Sequence, residues 1–292
     1  MPWEKVTLIG VGLLGGSIGC ALRKKGLAEL VVGYVRREST IAEAKDCEAI
    51  DHGTLDLPEA VGGADLIILC TPVGAMPALV EKMLWDCRAG ALLTDVGSVK
   101  AEVGAKISEI VAQSSVAFVG SHPMAGAEKT GVARSSAELF EGAVCIMTPG
   151  PETPQEATDG VRRFWNSLGG QVVEMDPSAH DRHVSRASHL PHVAAALLAH
   201  EVLDPEADSL RASLCATGFR DTTRIAAGDV TMWRDILVQN SVNIGEALDN
   251  YIGTLAKFRQ ALGAKNVDQV VRFLETARYR RMRWEQSRDG AA

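Results

Sequence analysis

The chain has 292 residues, 46% of them hydrophobic, so it is long enough for two domains that each have a core. Its formal net charge of −7 argues against a nucleic-acid-binding surface, and no uncharged stretch reaches the roughly 18 residues of a membrane span. Six cysteines without metal-ligand spacing, and no signal peptide before the first apolar run, predict a cytoplasmic protein with reduced thiols.

Short apolar segments alternate with helical patterns through the first 176 residues. We predict six strands, in KVTLIG, LVVGYV, ADLIILCTPV, ALLTDVGSVK, VAFVGSHP and AVCIMTP. Strands that alternate with helices form a parallel sheet covered on both faces, and ligands bind at the carboxyl ends of such strands. The pattern therefore predicts an α/β domain with its site at that edge.

Only helical patterns follow, so we place the domain boundary at residue 176, with Asp176 as the N-cap of a helix and Pro177 at its first position. The predicted domains are residues 1–176 and 177–292. The longest helical segments are HVAAALLAHEVL, DILVQNSVNIGEALDNYIGTLAKFRQAL and VDQVVRFLETARYRRMRW. The second has more apolar positions than one core-facing side needs, which predicts a homodimer through the helical domain. The basic segment RYRRMRW is interpreted as a solvated helix end.

The segment GVGLLG, residues 10–15, follows the first strand and opens a helix. In that context a GxGxxG motif predicts a dinucleotide-binding (Rossmann) domain. Gly10 permits the tight turn, Gly12 lets the backbone approach a pyrophosphate, and Gly15 lets the helix pack on the strand. The amide groups of Leu13 and Leu14 at the helix start then face the phosphates.

The end of the second strand, GYVRREST, indicates which dinucleotide binds. Proteins that bind NAD place an acid there to hold the ribose hydroxyls, whereas Val35 cannot bind them. Arg36 and Arg37, followed by Ser39 and Thr40, suit a 2′-phosphate. We therefore predict NADP, with NAD as the alternative if both arginines are only surface charge.

Three further loops follow strands and are expected to surround the nicotinamide: CTPV, DVGSVK and GSHPMAG. Thr71 and Pro72 are predicted to shape the nicotinamide end, and Ser98 and Lys100 offer a hydroxyl and a cation. His122 is the predicted general base, because an imidazole beside a nicotinamide can accept the proton of an alcohol whose carbon loses a hydride. A structural hydrogen-bonding histidine is the alternative.

The helical half supplies a second set of histidines. His189 and His192 are three residues apart and share a helix face, and Pro191 between them predicts a kink. His180 and His183 have the same spacing. No carboxylate of zinc-enzyme spacing accompanies either pair, so no metal site is predicted. Substrate contact is the predicted role of His189 and His192, and interface histidines are the alternative.

A cationic segment follows these histidines. Arg220 and Arg224 are four residues apart around Asp221, and either guanidinium could bind a carboxylate through two parallel hydrogen bonds. Trp233 is expected in the core, with a place in the wall of the substrate pocket as the alternative. We count it among the candidate substrate contacts for that reason.

Six motifs occur in order over most of the chain: GVGLLGGSIG, CTPV, DVGSVK, SHPMAGAEKTG, SHLPH and GFRDTTRIA. Together they resemble the prephenate/arogenate dehydrogenase family of tyrosine biosynthesis. The resemblance implies a dinucleotide-binding domain followed by an all-helical domain that forms a homodimer, with the active site between the domains. It places the catalytic histidine on His122, the orienting serine on Ser98 and the substrate-carboxylate arginine on Arg224. The helix histidines of the family fall on His189 and His192.

The resemblance also covers the pocket mouth and the chemistry. Glu128 and Asp221 match acids that interact with the arginine, and Lys129 adds a charge to the same wall. Val35 departs from the Asp of the members that use NAD. In the implied reaction, a cyclohexadiene loses a hydride from C4 while His122 takes the hydroxyl proton, and loss of CO2 then gives a phenol. Prephenate is the expected substrate, with arogenate as the alternative.

Two other classes of protein remain as alternatives. A two-domain NADP dehydrogenase of the β-hydroxyacid type would use a lysine from the first long helix of its second domain, but no lysine lies between Lys129 and Lys257. A non-enzymatic NADP sensor would need no polar substrate-binding residues and would bind NADP without turning it over.

Overall fold

The computed structural model describes residues 3–126, 131–204 and 209–289. Within these residues, the strands are β1 (Trp3–Ile9), β2 (Ala28–Tyr34), β3 (His52–Thr54), β4 (Leu66–Leu69), β5 (Leu92–Asp95), β6 (Ala117–Pro123), β7 (Val144–Thr148) and β8 (Gln171–Glu174). The α-helices are α1 (Leu13–Lys24), α2 (Glu38–Asp46), α3 (Leu57–Val61), α4 (Met76–Met83), α5 (Ala101–Val111), α6 (Gln155–Ser167), α7 (Pro177–Val184), α8 (Leu190–Val202), α9 (Ser209–Ser213), α10 (Thr217–Thr223), α11 (Val230–Gln239), α12 (Ser241–Gly263) and α13 (Val267–Asp289).

The strands form one sheet in the order β3-β2-β1-β4-β5-β6-β7-β8. Every pair from β3 to β6 is parallel, as predicted. The prediction of a wholly parallel sheet is wrong at β7, which pairs antiparallel with β6 and parallel with β8. The described part of the β6–β7 connection holds only a 3-10 turn at Val132–Arg134, so the chain turns back beside β6 instead of crossing the sheet on a helix. The short strands β3 and β8 were not predicted.

Both faces of the sheet are covered by apolar side chains. In β4, Leu66 and Ile68 belong to one core cluster, whereas Ile67 belongs to the other, as the alternation of side chains along a strand requires. The first cluster includes Ile18 of α1, and the second includes Ile107 of α5. Burying each such side chain stabilises the fold by about 1.5–3 kcal/mol, and this burial holds the carboxyl ends of the strands in place.

The helical part begins where the sequence predicts. Asp176 is the N-cap of α7, and its carboxylate accepts hydrogen bonds from the backbone N–H groups of Ser178 at 2.9 Å and Ala179 at 3.0 Å. Pro177 occupies the first turn, where its missing N–H costs nothing. No strand occurs between residues 177 and 289 in the part of the chain that the structure describes.

Two interruptions shape the helices of this part. A π-helical turn, Ser185–His189, joins α7 to α8 just before Pro191, where the sequence predicts a kink. The long helix predicted to start near residue 235 is broken at Asn240 into α11 and α12. The first interruption ends at His189 and the second lies at Asn240, and both side chains belong to the site described below.

The chain divides into two compact units, Met1–Ser241 and Val242–Ala292. The second contains α12 from residue 242 and α13. The ring of Phe258 on α12 meets the ring of Phe273 on α13 edge to face, with centroids 5.6 Å apart.

None of the six cysteines forms a disulfide. Among the described residues, no helix is both long and apolar enough to cross a membrane.

Candidate active site

Four predicted motifs lie at one edge of the sheet. Gly10 follows β1, Thr71 follows β4, Ser98 follows β5, and His122 lies at the penultimate position of β6. These strands are consecutive and parallel in the sheet, so their carboxyl ends lie side by side. The structure therefore brings together the glycine turn and the three loops that the sequence assigns to the nicotinamide.

The glycine turn fits a dinucleotide pyrophosphate. Gly10 has φ of +99°, which side-chain-bearing residues rarely adopt. A Cβ on Gly15 would lie 2.2 Å from the carbonyl oxygen of Gly10, whereas a Cβ on Gly12 would meet no atom within 4 Å. Gly12 is the N-cap of α1 and supplies no capping side chain, so the first N–H groups of the helix, including those of Leu13 and Leu14, suit an anion.

The end of β2 carries the residues predicted to choose the cofactor. Val35 is 4% exposed and offers no polar side-chain atom for a ribose hydroxyl. Arg36, Arg37 and Ser39 are exposed, and Thr40 is half-buried at the start of α2. Neither arginine forms an ion pair with any other residue that the structure describes.

The loop after β4 presents one buried polar atom to the same edge. The Thr71 hydroxyl has no hydrogen-bond partner among the described residues. Its methyl group would lie 3.0 Å from a Cβ on Gly10, so it adjoins the glycine turn. Pro72 next to it is exposed. A buried hydroxyl beside the pyrophosphate turn fits a dinucleotide that supplies the missing polar contact.

A chain of buried hydrogen bonds runs from the end of β6 into α7. Nδ1 of His122 lies 2.8 Å from Nε2 of His180, and Nδ1 of His180 lies 2.7 Å from Oδ1 of Asp181. The Asp181 carboxylate also accepts the backbone N–H groups of Lys100 at 2.8 Å and Ala101 at 2.9 Å, at the start of α5. The three linked side chains belong to residues that are at most 7% exposed.

This series of hydrogen bonds determines which nitrogen of each imidazole carries the proton. An ionised carboxylate only accepts hydrogen bonds, so Nδ1 of His180 must donate to Asp181. In the neutral form of His180, Nε2 accepts and Nδ1 of His122 donates to it. The remaining nitrogen of His122, Nε2, is therefore the basic atom. Burial would raise the pKa of Asp181, but hydrogen bonds from His180 and the α5 backbone outweigh it and keep that pKa below its ordinary value.

The surroundings keep His122 neutral. Burial lowers its pKa well below the ordinary value, and the positive charges that His180, Lys100 and His189 can carry lower it further. Lys100 is 1% exposed and ion-paired with Asp95, and burial lowers the pKa of its ammonium. Lys100 is therefore a buried cation whose charge Asp95 balances.

The two predicted helix histidines flank one indole. His192 stacks on Trp233 with centroids 3.4 Å apart, and His189 meets it edge-on at 6.1 Å. Trp233 is half-buried and packs on one core cluster, as expected, and its place in the wall of the substrate pocket stays a prediction. Gly228 permits this packing, because a Cβ there would lie 2.6 Å from Nε1 of Trp233. Burial lowers the pKa of His189 to about 4 and also lowers that of His192.

The cationic segment is exposed. Arg220 lies 3.5 Å from Asp221, and both side chains are more than half exposed. Arg224 is exposed at the start of the 3-10 turn Arg224–Ala227. Glu128 and Lys129 lie outside the described residues. Within the described residues, no cluster of three or more His, Cys, Asp or Glu side chains could hold a metal ion.

The sequence did not assign a role to three residues of the site: His180, Asp181 and Asn240, whose Nδ2 lies 3.2 Å from Nδ1 of His189. The only sequence signal for the first was its three-residue spacing from His183, which also fits a simple helix face. Ser98 was expected to orient His122, but the His122 ring is hydrogen-bonded to His180. The orienting role of Ser98 stays a prediction.

The glycine turn and the imidazole base at the same sheet edge define a dinucleotide-dependent dehydrogenase. Residues 18–174 match the model for the prephenate dehydrogenase nucleotide-binding domain, and residues 176–276 match that for the prephenate dehydrogenase dimerization domain. The chain is 34% identical to prephenate dehydrogenase of Bacillus subtilis (strain 168) over 277 residues, which is 94% of this chain and 74% of the relative. The chain therefore belongs to the prephenate/arogenate dehydrogenase family and is an NAD(P)-dependent oxidoreductase, as the resemblance predicts.

Two solved structures support this placement. Prephenate dehydrogenase from Aquifex aeolicus, in complex with hydroxyphenyl propionate and NAD+, has a TM-score of 0.89 and 32% identity over 97% of this chain and 99% of that one. Synechocystis arogenate dehydrogenase has a TM-score of 0.80 and 27% identity over 96% of this chain and 100% of that one. The family thus includes relatives named for each of the two candidate substrates.

Proposed function

We propose that this protein oxidises prephenate with NADP and releases 4-hydroxyphenylpyruvate and CO2. The observation that carries the proposal is the buried chain from Asp181 through His180 to His122, which makes Nε2 of His122 a proton acceptor at the edge where the strands end. A dehydrogenase that acts on an alcohol needs such a base beside its nicotinamide.

In the proposed reaction, His122 takes the proton of the 4-hydroxyl group as C4 loses its hydride, and the C–O bond becomes a carbonyl. The bound dinucleotide supplies the hydride acceptor. The ring carboxylate then leaves as CO2, its bonding electrons enter the ring, and the carbonyl oxygen becomes a phenolate. His122 returns its proton to that oxygen. Its lowered pKa suits this step, because a weakly basic imidazole releases the proton readily.

The substrate carboxylates require cations and neutral donors. Arg224 is the proposed clamp for a carboxylate, through two parallel hydrogen bonds. His189 and His192 are the proposed neutral contacts. Trp233, Arg220, Glu128 and Lys129 are the remaining proposed substrate contacts.

The preference for NADP rests on Val35, Arg36 and Arg37. The buried valine gives a ribose no hydrogen bond, and the exposed guanidiniums suit a phosphate dianion. The Aquifex aeolicus relative was solved with NAD+, so NAD is the alternative cofactor. We expect a higher kcat/KM with NADP than with NAD, measured by nucleotide fluorescence with prephenate, and a higher value with NAD would overturn this assignment.

The choice of prephenate rests on charge. Arogenate carries an ammonium where prephenate carries a keto group, so preference for arogenate requires a carboxylate within reach. Asp221 already lies beside Arg220, and His189 and His192 cannot stabilise a cation. We expect the protein to use prephenate at least as well as arogenate. A preference for arogenate above about tenfold, or about 1.4 kcal/mol, would show that an acid is available to the amine.

We also propose a homodimer through the helical domain, residues 177–292. The unit that contains α12 exposes large apolar side chains, among them Val242, Ile252, Leu255 and Leu262. Light scattering should give about 62 kDa, twice the 31.1 kDa of one chain. A mass of one chain at micromolar concentration would refute the dimer.

A further inference from the structure

Asn240 interrupts the helical run between α11 and α12, and its side chain turns inward. The residue is 2% exposed. Its Nδ2 donates to the backbone carbonyl of Asp181 at 2.9 Å and lies 3.2 Å from Nδ1 of His189. One buried amide thus joins the helix that carries Asp181 to one of the proposed substrate histidines.

These two contacts assign the proton of His189. The carbonyl of Asp181 can only accept, so the amide atom that faces it must be the NH2 group of Asn240. The second hydrogen of that group is then available to Nδ1 of His189, which must accept it. His189 is fully buried, and burial lowers its pKa to about 4, so the ring is neutral and carries its proton on Nε2.

The proton-bearing atom is itself buried. Nε2 of His189 forms no hydrogen bond of normal geometry with any residue that the structure describes. A hydrogen-bonding contact between this ring and the backbone of Ser98 raises the pKa of His189. A buried N–H group without an acceptor of normal geometry is costly, so a ligand that supplies a well-placed oxygen here would be bound more tightly.

We propose that Asn240 is a positioning residue that holds His189 as a neutral Nε2–H donor to an oxygen of the bound substrate or of the nicotinamide carboxamide. The proposal rests on the proposed function, which supplies those ligands. The site then contains two imidazoles with opposite hydrogen-bonding roles. Nε2 of His122 accepts a proton, whereas Nε2–H of His189 donates a hydrogen bond. Both tautomers depend on Asp181. Its carboxylate fixes the tautomer of His122 through His180, and its backbone carbonyl fixes that of His189 through Asn240.

The first test measures the tautomer directly. Two-bond 1H–15N correlation spectra of the full-length, 15N-histidine-labelled protein distinguish the two neutral tautomers, and His189→Gln identifies the resonances of this ring. We expect the Nε2–H form in the wild type. In Asn240→Asp the carboxylate can only accept from the ring, so we expect the proton on Nδ1. A wild-type His189 with its proton on Nδ1 would overturn the proposal even if the variant does not fold.

The second test measures ligand binding. Asn240→Asp should raise the KM for prephenate about tenfold if the acceptor belongs to the substrate, or the dissociation constant of NADP by the same factor if it belongs to the nicotinamide. The pH at which kcat falls should not move, because His122 remains the base. Unchanged KM and unchanged NADP affinity in the folded variant would refute the donor role.

A matched control is Asn250→Asp. Asn250 is exposed on α12, and its Nδ2 also donates to a backbone carbonyl, that of Glu246 at 2.9 Å. This variant should leave both binding constants unchanged. Failure of the proposed function would appear differently, as a wild-type protein that binds NADP and holds the Nε2–H tautomer but does not oxidise prephenate.

Discussion

The proposed base and the arginines that we propose to select the cofactor are built in opposite ways. His122, His180 and Asp181 are almost entirely buried and joined by successive hydrogen bonds. Arg36 and Arg37 are exposed at the end of β2 and form no ion pair within the described part of the chain.

The difference follows from the cost of burying charge. A neutral imidazole can be buried and oriented cheaply when its nitrogens are hydrogen-bonded, and burial keeps it a base. A buried guanidinium without a partner would lose its hydration with no compensation. An arginine that binds a phosphate is therefore more stable when it is exposed to water in the unliganded protein. The fold therefore fixes proton positions in advance and leaves exposed the charges that we propose to bind the phosphate.

The largest effect should come from removing the base. We expect His122→Asn to lower kcat about 10³-fold, the usual worth of a positioned general base. The dissociation constant of NADP should stay the same, because the pyrophosphate turn is untouched. Steady-state kinetics and fluorescence titration measure the two quantities, and a variant with near-normal kcat would exclude His122 as the base.

Breaking the hydrogen-bond chain behind the base should have the next largest effect. His180→Leu removes the acceptor for Nδ1–H of His122, so the base loses its fixed tautomer, and we expect kcat to fall about 10²-fold. His180→Gln offers an oxygen to His122 and should recover most of the loss. The control is His183→Leu, an exposed histidine on the same helix, which should leave kcat unchanged. Equal effects of Leu and Gln at position 180 would argue for a packing role instead.

The exposed arginines should affect only one cofactor. Arg36→Ala should lower kcat/KM for NADP about 10- to 100-fold, the worth of one charge-assisted hydrogen bond, and leave kcat/KM for NAD unchanged. Arg88→Ala removes an exposed arginine that precedes the amino end of β5 and serves as the control. If Arg36→Ala and Arg88→Ala behave alike with NADP, the prediction for the 2′-phosphate is wrong.

The smallest expected effect is on the pH dependence of the free energy of unfolding. The unfolded chain protonates its histidines below about pH 6.5, whereas folded His189 resists protonation until about pH 4. The unfolded state therefore binds more protons in this window, and the free energy of unfolding should fall as pH falls, by about 1.4 kcal/mol per pH unit from His189 alone. Urea unfolding between pH 4.5 and 7 measures this slope.

His189→Gln should flatten that slope, whereas Arg36→Ala should not change it, because an exposed arginine does not titrate in this range. A slope that His189→Gln leaves unaltered would mean that the ring is protonated in the folded protein. The pair of variants thus compares the buried and exposed parts of the site in one measurement.

Local patterns in the sequence were enough for the glycine turn, the main strands and the start of the helical part. A GxGxxG motif, an apolar run and an Asp-Pro helix start each lie within a few residues, where propensity and capping act directly. The same holds for His122, whose place at a strand end follows from the strand itself. The sequence alone therefore determined the nucleotide-binding fold and the sheet edge at which we propose that the chemistry occurs.

Only the tertiary structure decided what surrounds that edge. His122 meets His180 across 58 positions, the backbone N–H of Lys100 meets Asp181 across 81, and Asn240 meets His189 across 51. No periodicity of two or four residues encodes such pairs. The antiparallel placement of β7 likewise depends on pairing with a strand already in place. The proton positions of the site follow from these long-range hydrogen bonds, because a buried polar atom must be satisfied by whichever group the fold brings against it.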